Sequence, residues 1–132
     1  MAVSSCADYS REAVKNDPTV FDAAGLVERC MGDASAACAL LGMFRDRLPG
    51  TIAEICDRLL DAKSLSPALA TLHTLKGNAG NLCAGRLYRA ATRLEQTLRQ
   101  EDFADTASRL SDLQQEAERF LRALPPNLES LI

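Results

Sequence analysis

The chain has 132 residues, 47% of them hydrophobic and 25% charged, a length that fits one domain and a balance too apolar for disorder. Its formal net charge is -3, and its arginines are spread from Arg11 to Arg122 without a run, which argues against a nucleic-acid or membrane-surface footprint. Five cysteines without a Cys-x-x-Cys pair read as reduced thiols, and no apolar run reaches the roughly 18 residues of a membrane span, so a cytoplasmic setting is expected.

Apolar residues recur at helical spacing almost throughout, with no period-two alternation, which predicts an all-α fold. Residues 5–15 read as a short helix ending before Asn16-Asp17-Pro18. Thr19 and Asp22 are spaced like a capping box and open a second short helix running to about Met31, after which Gly32-Asp33 punctuates the chain. From Asp33 a long helix places Ala37, Leu40, Leu41, Phe44, Leu48, Ile52, Ile55 and Leu59 on one face. Pro49-Gly50 should kink this helix without ending it, because the stripe stays in phase on both sides.

After a turn over residues 61–65, Ser66-Pro67 offers an N-cap with proline in the first helical position. The next helix contains His73, and a tight connection near Asn81 to Gly85 leads to another, with Leu87, Ala90, Ala91, Leu94 and Leu98 facing inward. Asp102 begins a last long helix with Phe103, Ala107, Leu110, Leu113, Ala117, Phe120, Leu121 and Leu124 on its buried face, stopped by Pro125-Pro126. Four amphipathic helices joined by short turns predict an antiparallel four-helix bundle over residues 19–124, with one or two short N-terminal helices as a lid. Residues 1–18 are then an N-terminal extension and 125–132 a C-terminal tail.

His73 is the only histidine and lies in LHTLKGNAG, residues 72–80. With Leu72 as the zero of angle and about 100° per residue, Leu65, Ala68, Leu69, Leu72, Leu75, Ala79 and Leu82 form the core stripe, and His73 stands at about +100°, just off its edge. Ala70, Gly77, Gly80 and Ala84 lie within about 60° of it, so the ring should stand over a floor without bulky side chains. Each helical glycine costs about 1 kcal/mol relative to alanine, and access for an approaching group would account for them. Lys76, three residues on, can bring a mobile positive charge to the same spot. A nucleophilic nitrogen beside a cation on an open surface suits an anion better than a metal, for which no second His or Cys stands at i+4. With no paired Ser or Cys there is no hydrolytic triad either. Ordinary roles compete with this reading: a partly exposed helix-edge histidine, a solvated lysine, and glycines that merely let helices pack closely.

The combination His73-Thr-Leu-Lys76-Gly77, followed by Ala79, resembles the signature of histidine-containing phosphotransfer (HPt) domains of bacterial phosphorelays. The similarity extends to FDAAGLVERCMGD, residues 21–33, and to Leu87 with Leu94-Glu95, and covers about residues 19–124. Where the family often has glycine this chain has Cys83, and where it has alanine or serine this chain has Asn78 and Gly80, which bears on the fine shape of the docking surface. The resemblance implies that His73 accepts a phosphoryl group on Nε2 from a receiver-domain aspartyl phosphate and passes it to another receiver aspartate. Lys76 and Gly77 would then form the phosphate environment, and Ala70, Gly80 and Ala84 part of the docking surface. It implies no cofactor of the chain's own, Mg²⁺ being the receiver's, and no independent enzymatic turnover. The implied partners are receiver domains of response regulators or hybrid sensor kinases, met by a monomer without nucleic-acid or membrane contact. The setting would be cytoplasmic, as a free protein or as the cytoplasmic end of a membrane-bound hybrid kinase. A histidine-kinase phosphoacceptor helix fits less well, since that family typically places an acidic residue directly after the histidine, where Thr74 stands. An interaction module of the same fold without phosphotransfer is the remaining alternative.

Overall fold

The structure, a computed structural model, describes residues 17–61 and 64–131. Among the described residues five α-helices follow one another: α1 (Ala23–Arg29), α2 (Ala34–Leu59), α3 (Leu65–Asn81), α4 (Gly85–Arg99) and α5 (Phe103–Ala123), with a 3-10 turn over Leu128–Ser130. The helix read over residues 5–15 lies outside the described residues. α2 packs on α3, α3 on α4, α4 on α5, and α5 back on α2, which closes the expected four-helix bundle. Among the described residues no helix is long and apolar enough to cross a membrane.

Helix α1 begins later than the capping box suggests. Asp22, not Thr19, is the N-cap, its carboxylate accepting from Gly25 N–H at 3.0 Å. Thr19 is instead drawn into the preceding turn, donating from N and Oγ1 to Asp17 Oδ1 at 2.8 and 2.6 Å. Gly25 is required by this cap, since a Cβ there would lie 2.6 Å from Asp22 Oδ2. The turn into α2 passes through left-handed Met31 and Gly32, after which Asp33 caps α2 by accepting from Ala36 N–H at 3.0 Å.

Helix α2 continues through Pro49 and buries Ala37, Leu41, Phe44, Leu48 and Ile55. Leu40, expected on the buried face, is exposed. Helix α3 starts at Leu65, so Ser66 is not its N-cap; Pro67 still falls in the first turn, where a missing N–H breaks no intrahelical bond. Its core residues Ala68, Leu72, Leu75 and Ala79 are those expected. In α5 Leu113, Ala117 and Phe120 are buried, whereas Phe103 and Ala107 on the first two turns face solvent. Leu124 takes an extended conformation, as a residue before proline must, and ends the helix.

Phe120 sits at the centre of the core, edge-on to Phe21 at 5.9 Å and to Phe44 at 5.5 Å between ring centroids. The segment before α1 clasps the turn between α3 and α4: Asp22 N–H donates to the Cys83 carbonyl at 3.1 Å, and Arg86 N–H to the Thr19 carbonyl at 2.7 Å. These bonds hold the C-terminal end of the histidine helix. The C-terminal tail folds back on α2, where Leu128 is buried beside Gly42.

Candidate functional site

Helix α3 presents His73 to solvent, its side chain 66% exposed, because residue 73 is one step off the stripe formed by Leu72, Leu75 and Ala79. The ring is not free. Its Nδ1 lies 2.9 Å from Oε2 of Glu95, whose own side chain is 6% exposed. Glu95 projects from α4 at the edge of the stripe that buries Leu87, Ala91, Leu94 and Leu98. A carboxylate in such a place needs cations around it. Lys76 Nζ donates to its Oε1 at 3.1 Å, and Arg99 Nη2 to its Oε2 at 3.3 Å.

Burial raises the Glu95 pKa, but the hydrogen bonds from Lys76, His73 and Arg99 outweigh it and hold the carboxyl below its ordinary value. The group is therefore ionised at neutral pH and can only accept hydrogen bonds. It follows that Nδ1 carries the proton and that, in the neutral ring, Nε2 keeps a free lone pair on the solvent side. A carboxylate thus fixes tautomer and ring orientation together, and would balance the charge if Nε2 became substituted.

Lys76 is 23% exposed and engaged with Glu95, so it is a tethered charge, not the mobile one expected. An ammonium has three donors, and one bond to Glu95 leaves two for an anion at His73.

The two glycines beyond His73 differ. A Cβ on Gly77 would meet nothing within 4 Å, so packing does not demand glycine and the space beside the ring is open. At Gly80 a Cβ would come 3.2 Å from the Tyr88 ring, so this glycine admits a side chain of α4. Ala70 is exposed. Ala84 is 0% exposed and does not belong to any docking surface. Helix α3 stops at Asn81 and the chain reverses through left-handed Cys83, so the helical angle expected for residue 84 does not apply.

On the side of His73 away from Glu95, α2 and α3 enclose an open groove of about 620 Å³. Leu40 and Met43, 49% and 51% exposed, line one wall; Ala70, Thr74 and Asn78 line the other. His73 thus stands between a buried acid and a partly apolar groove. Among the described residues no group of His, Cys, Asp or Glu side chains converges as a metal site does, and Cys30, Cys38, Cys56 and Cys83 are free thiols.

The sequence pattern put His73 and Lys76 on one side of α3, where the structure has them, and missed Glu95 as the partner of both. The available signal was an acidic residue flanked by Ala91, Leu94 and Leu98 at helical spacing, where burial is expected and a counter-charge required.

A family model for the Hpt domain matches residues 39–123, a span that includes His73, Lys76, Glu95 and Arg99 but not Thr19 and Asp22 of the N-terminal clasp. Comparison with curated proteins and with solved structures returned no match.

Proposed function

The chain belongs to the Hpt domain family and so to phosphorelay signalling, and from that premise we propose that His73 is the phosphoacceptor of a relay between two receiver domains. The observation that carries this reading is the bond between His73 Nδ1 and Glu95, which in the neutral ring puts the Nε2 lone pair on the exposed side. The Nε2 lone pair attacks the phosphorus of a receiver aspartyl phosphate; the P–O bond to that aspartate breaks, and its electron pair leaves with the carboxylate. In the second half-reaction a different receiver aspartate attacks, the N–P bond breaks, and the electron pair returns to Nε2.

Such transfer depends on in-line positioning and charge neutralisation more than on covalent apparatus. Glu95 positions the ring and offsets the imidazolium charge, and the donors of Lys76 not used by Glu95 meet the phosphoryl oxygens. Gly77 leaves room for the phosphate. The receiver contributes its aspartate and the Mg²⁺ beside it. Docking uses the groove between α2 and α3, with Leu40, Met43, Ala70 and Thr74 against the receiver; Gly80, turned toward Tyr88 of α4, lies outside this groove. On this reading the protein is a monomeric relay intermediate with no turnover of its own, working in the cytoplasm either free or as the end of a hybrid kinase.

The test is incubation with receivers charged by acetyl phosphate. Label should appear on the wild type and not on His73→Gln. Receivers that bind the wild-type protein but never transfer label to it would favour the interaction-module alternative and overturn the relay.

A further inference from the structure

Helix α4 carries a second charged feature on its far side. With Arg86 as the zero of angle, Arg89 falls at about -60°, Arg93 at about -20° and Glu95 at about 180°, so the arginines form one stripe turned away from the His73 site. Together with Arg119 of α5 they line a polar groove of about 420 Å³ between the two helices. Two carboxylates, Asp112 and Glu116, share the lining, so four guanidinium groups face two acids in a chain whose net charge is -3.

The acids do not satisfy all four. Glu116 is held by Arg86 at 2.7 Å and by Arg119. Asp112 is 3.7 Å from Arg109, outside the groove. Arg89 and Arg93 make no ion pair among the described residues. They are neighbours at i,i+4, about 6 Å apart along the axis, where like charges disfavour the helix. Two forked guanidinium groups at that spacing match a compact oxoanion, which each can grip through paired N–H donors. The lining contains no aromatic ring on which a nucleobase could stack.

We infer that the groove between α4 and α5 binds a doubly charged oxoanion of phosphate type, gripped by Arg89 and Arg93 with the Gln115 amide beside them, independently of phosphotransfer at His73. The ligand is either a free anion or a phosphoryl group carried on a protein segment.

NMR titration of the whole chain separates these sources. Inorganic phosphate at pH 7.5 is compared with sodium chloride of equal ionic strength, and a phosphoserine peptide with its unphosphorylated form. Saturable shifts of the Arg89 and Arg93 Nε–H signals are expected in the wild type, and the apparent Kd, read in both proteins from the backbone amides of Ala90 and Gln115 in the groove, should rise about tenfold or more in Arg89→Gln/Arg93→Gln, as expected when charge-assisted hydrogen bonds are lost. Because both side chains are exposed and make no ion pair among the described residues, the double variant should unfold at or slightly above the wild-type temperature. Phosphate binding as tight as the phosphopeptide identifies a free anion, and a clear preference for the phosphopeptide identifies a protein-borne group. The inference is overturned if neither ligand saturates at millimolar concentration, if chloride gives the same shifts, if the double variant binds as well as the wild type, or if the shifts centre on Lys76.

Discussion

His73 Nδ1 and Glu95 Oε2 stand 2.9 Å apart although 22 residues of sequence, and a change of helix, separate them. The acid serves three partners at once, because Lys76 and Arg99 also bind it. Its removal should therefore be felt in both stability and chemistry. Glu95→Ala leaves the imidazole without an orienting acceptor and Lys76 without its counter-charge. One charge-assisted hydrogen bond lost from the transition state, about 1.5–3 kcal/mol, would slow transfer roughly 10- to 100-fold. Glu95→Gln, which keeps a carbonyl acceptor but no charge, should fall between that variant and the wild type. Rapid-quench transfer from a charged receiver measures this, and a wild-type rate in Glu95→Ala would remove the acid from the mechanism.

The same acid should leave a mark on acid stability. Its folded pKa lies below the ordinary 4.5, since the bonds from Lys76, His73 and Arg99 outweigh the effect of burial. The unfolded chain then takes up this proton more readily than the folded one. The stabilisation from ionised Glu95 is complete above the unfolded value and is lost as pH falls through the lower folded value. Urea unfolding of wild type and Glu95→Gln should give a stability difference that is constant near neutral pH and shrinks below pH 4.5. Parallel profiles across the acid range would contradict this.

Gly77 and Gly80 should respond differently to alanine. A methyl group at Gly77 meets nothing, so the variant should gain about 1 kcal/mol from helix propensity alone. At Gly80 the methyl group meets Tyr88 at 3.2 Å, and the ring must give way, so the gain should be smaller or reversed. Thermal unfolding of the two variants ranks them. Gly77→Leu should fold as the wild type does and transfer more slowly; an unchanged transfer rate would show that open space beside His73 has no role in access.

How far these features were legible follows from their range in sequence. The stripe of Ala68, Leu72, Leu75 and Ala79 depends on neighbours three and four residues away, and periodicity found it. The same counting failed at Ala84, because it assumes a helix that had already ended at Asn81. It also placed Leu40 and Phe103 in the core, since a stripe tells which side of a helix is apolar and not how far neighbouring helices cover it. Glu95 and the arginine groove escaped for another reason. The first needs α3 and α4 to be laid side by side, and the second joins Arg93 to Arg119 across two helices, so a search for basic runs passed over it.

The groove beside His73 yields the last prediction. Met43 is about half exposed and makes up part of the wall facing Thr74 and Asn78, so a charge there costs the folded chain little, yet would be desolvated under a docked receiver. Met43→Glu should keep the helical content and unfolding temperature of the wild type. Its second-order transfer rate should fall at least tenfold, which corresponds to about 1.4 kcal/mol of lost docking energy. Hydrolysis of phosphohistidine in the isolated protein should not change, because Met43 lies in the groove and not in the cluster of His73, Lys76 and Glu95. Slower hydrolysis together with slower transfer would instead mean that the substitution disturbs the phosphoacceptor, and an unaltered transfer rate would mean that receivers dock elsewhere.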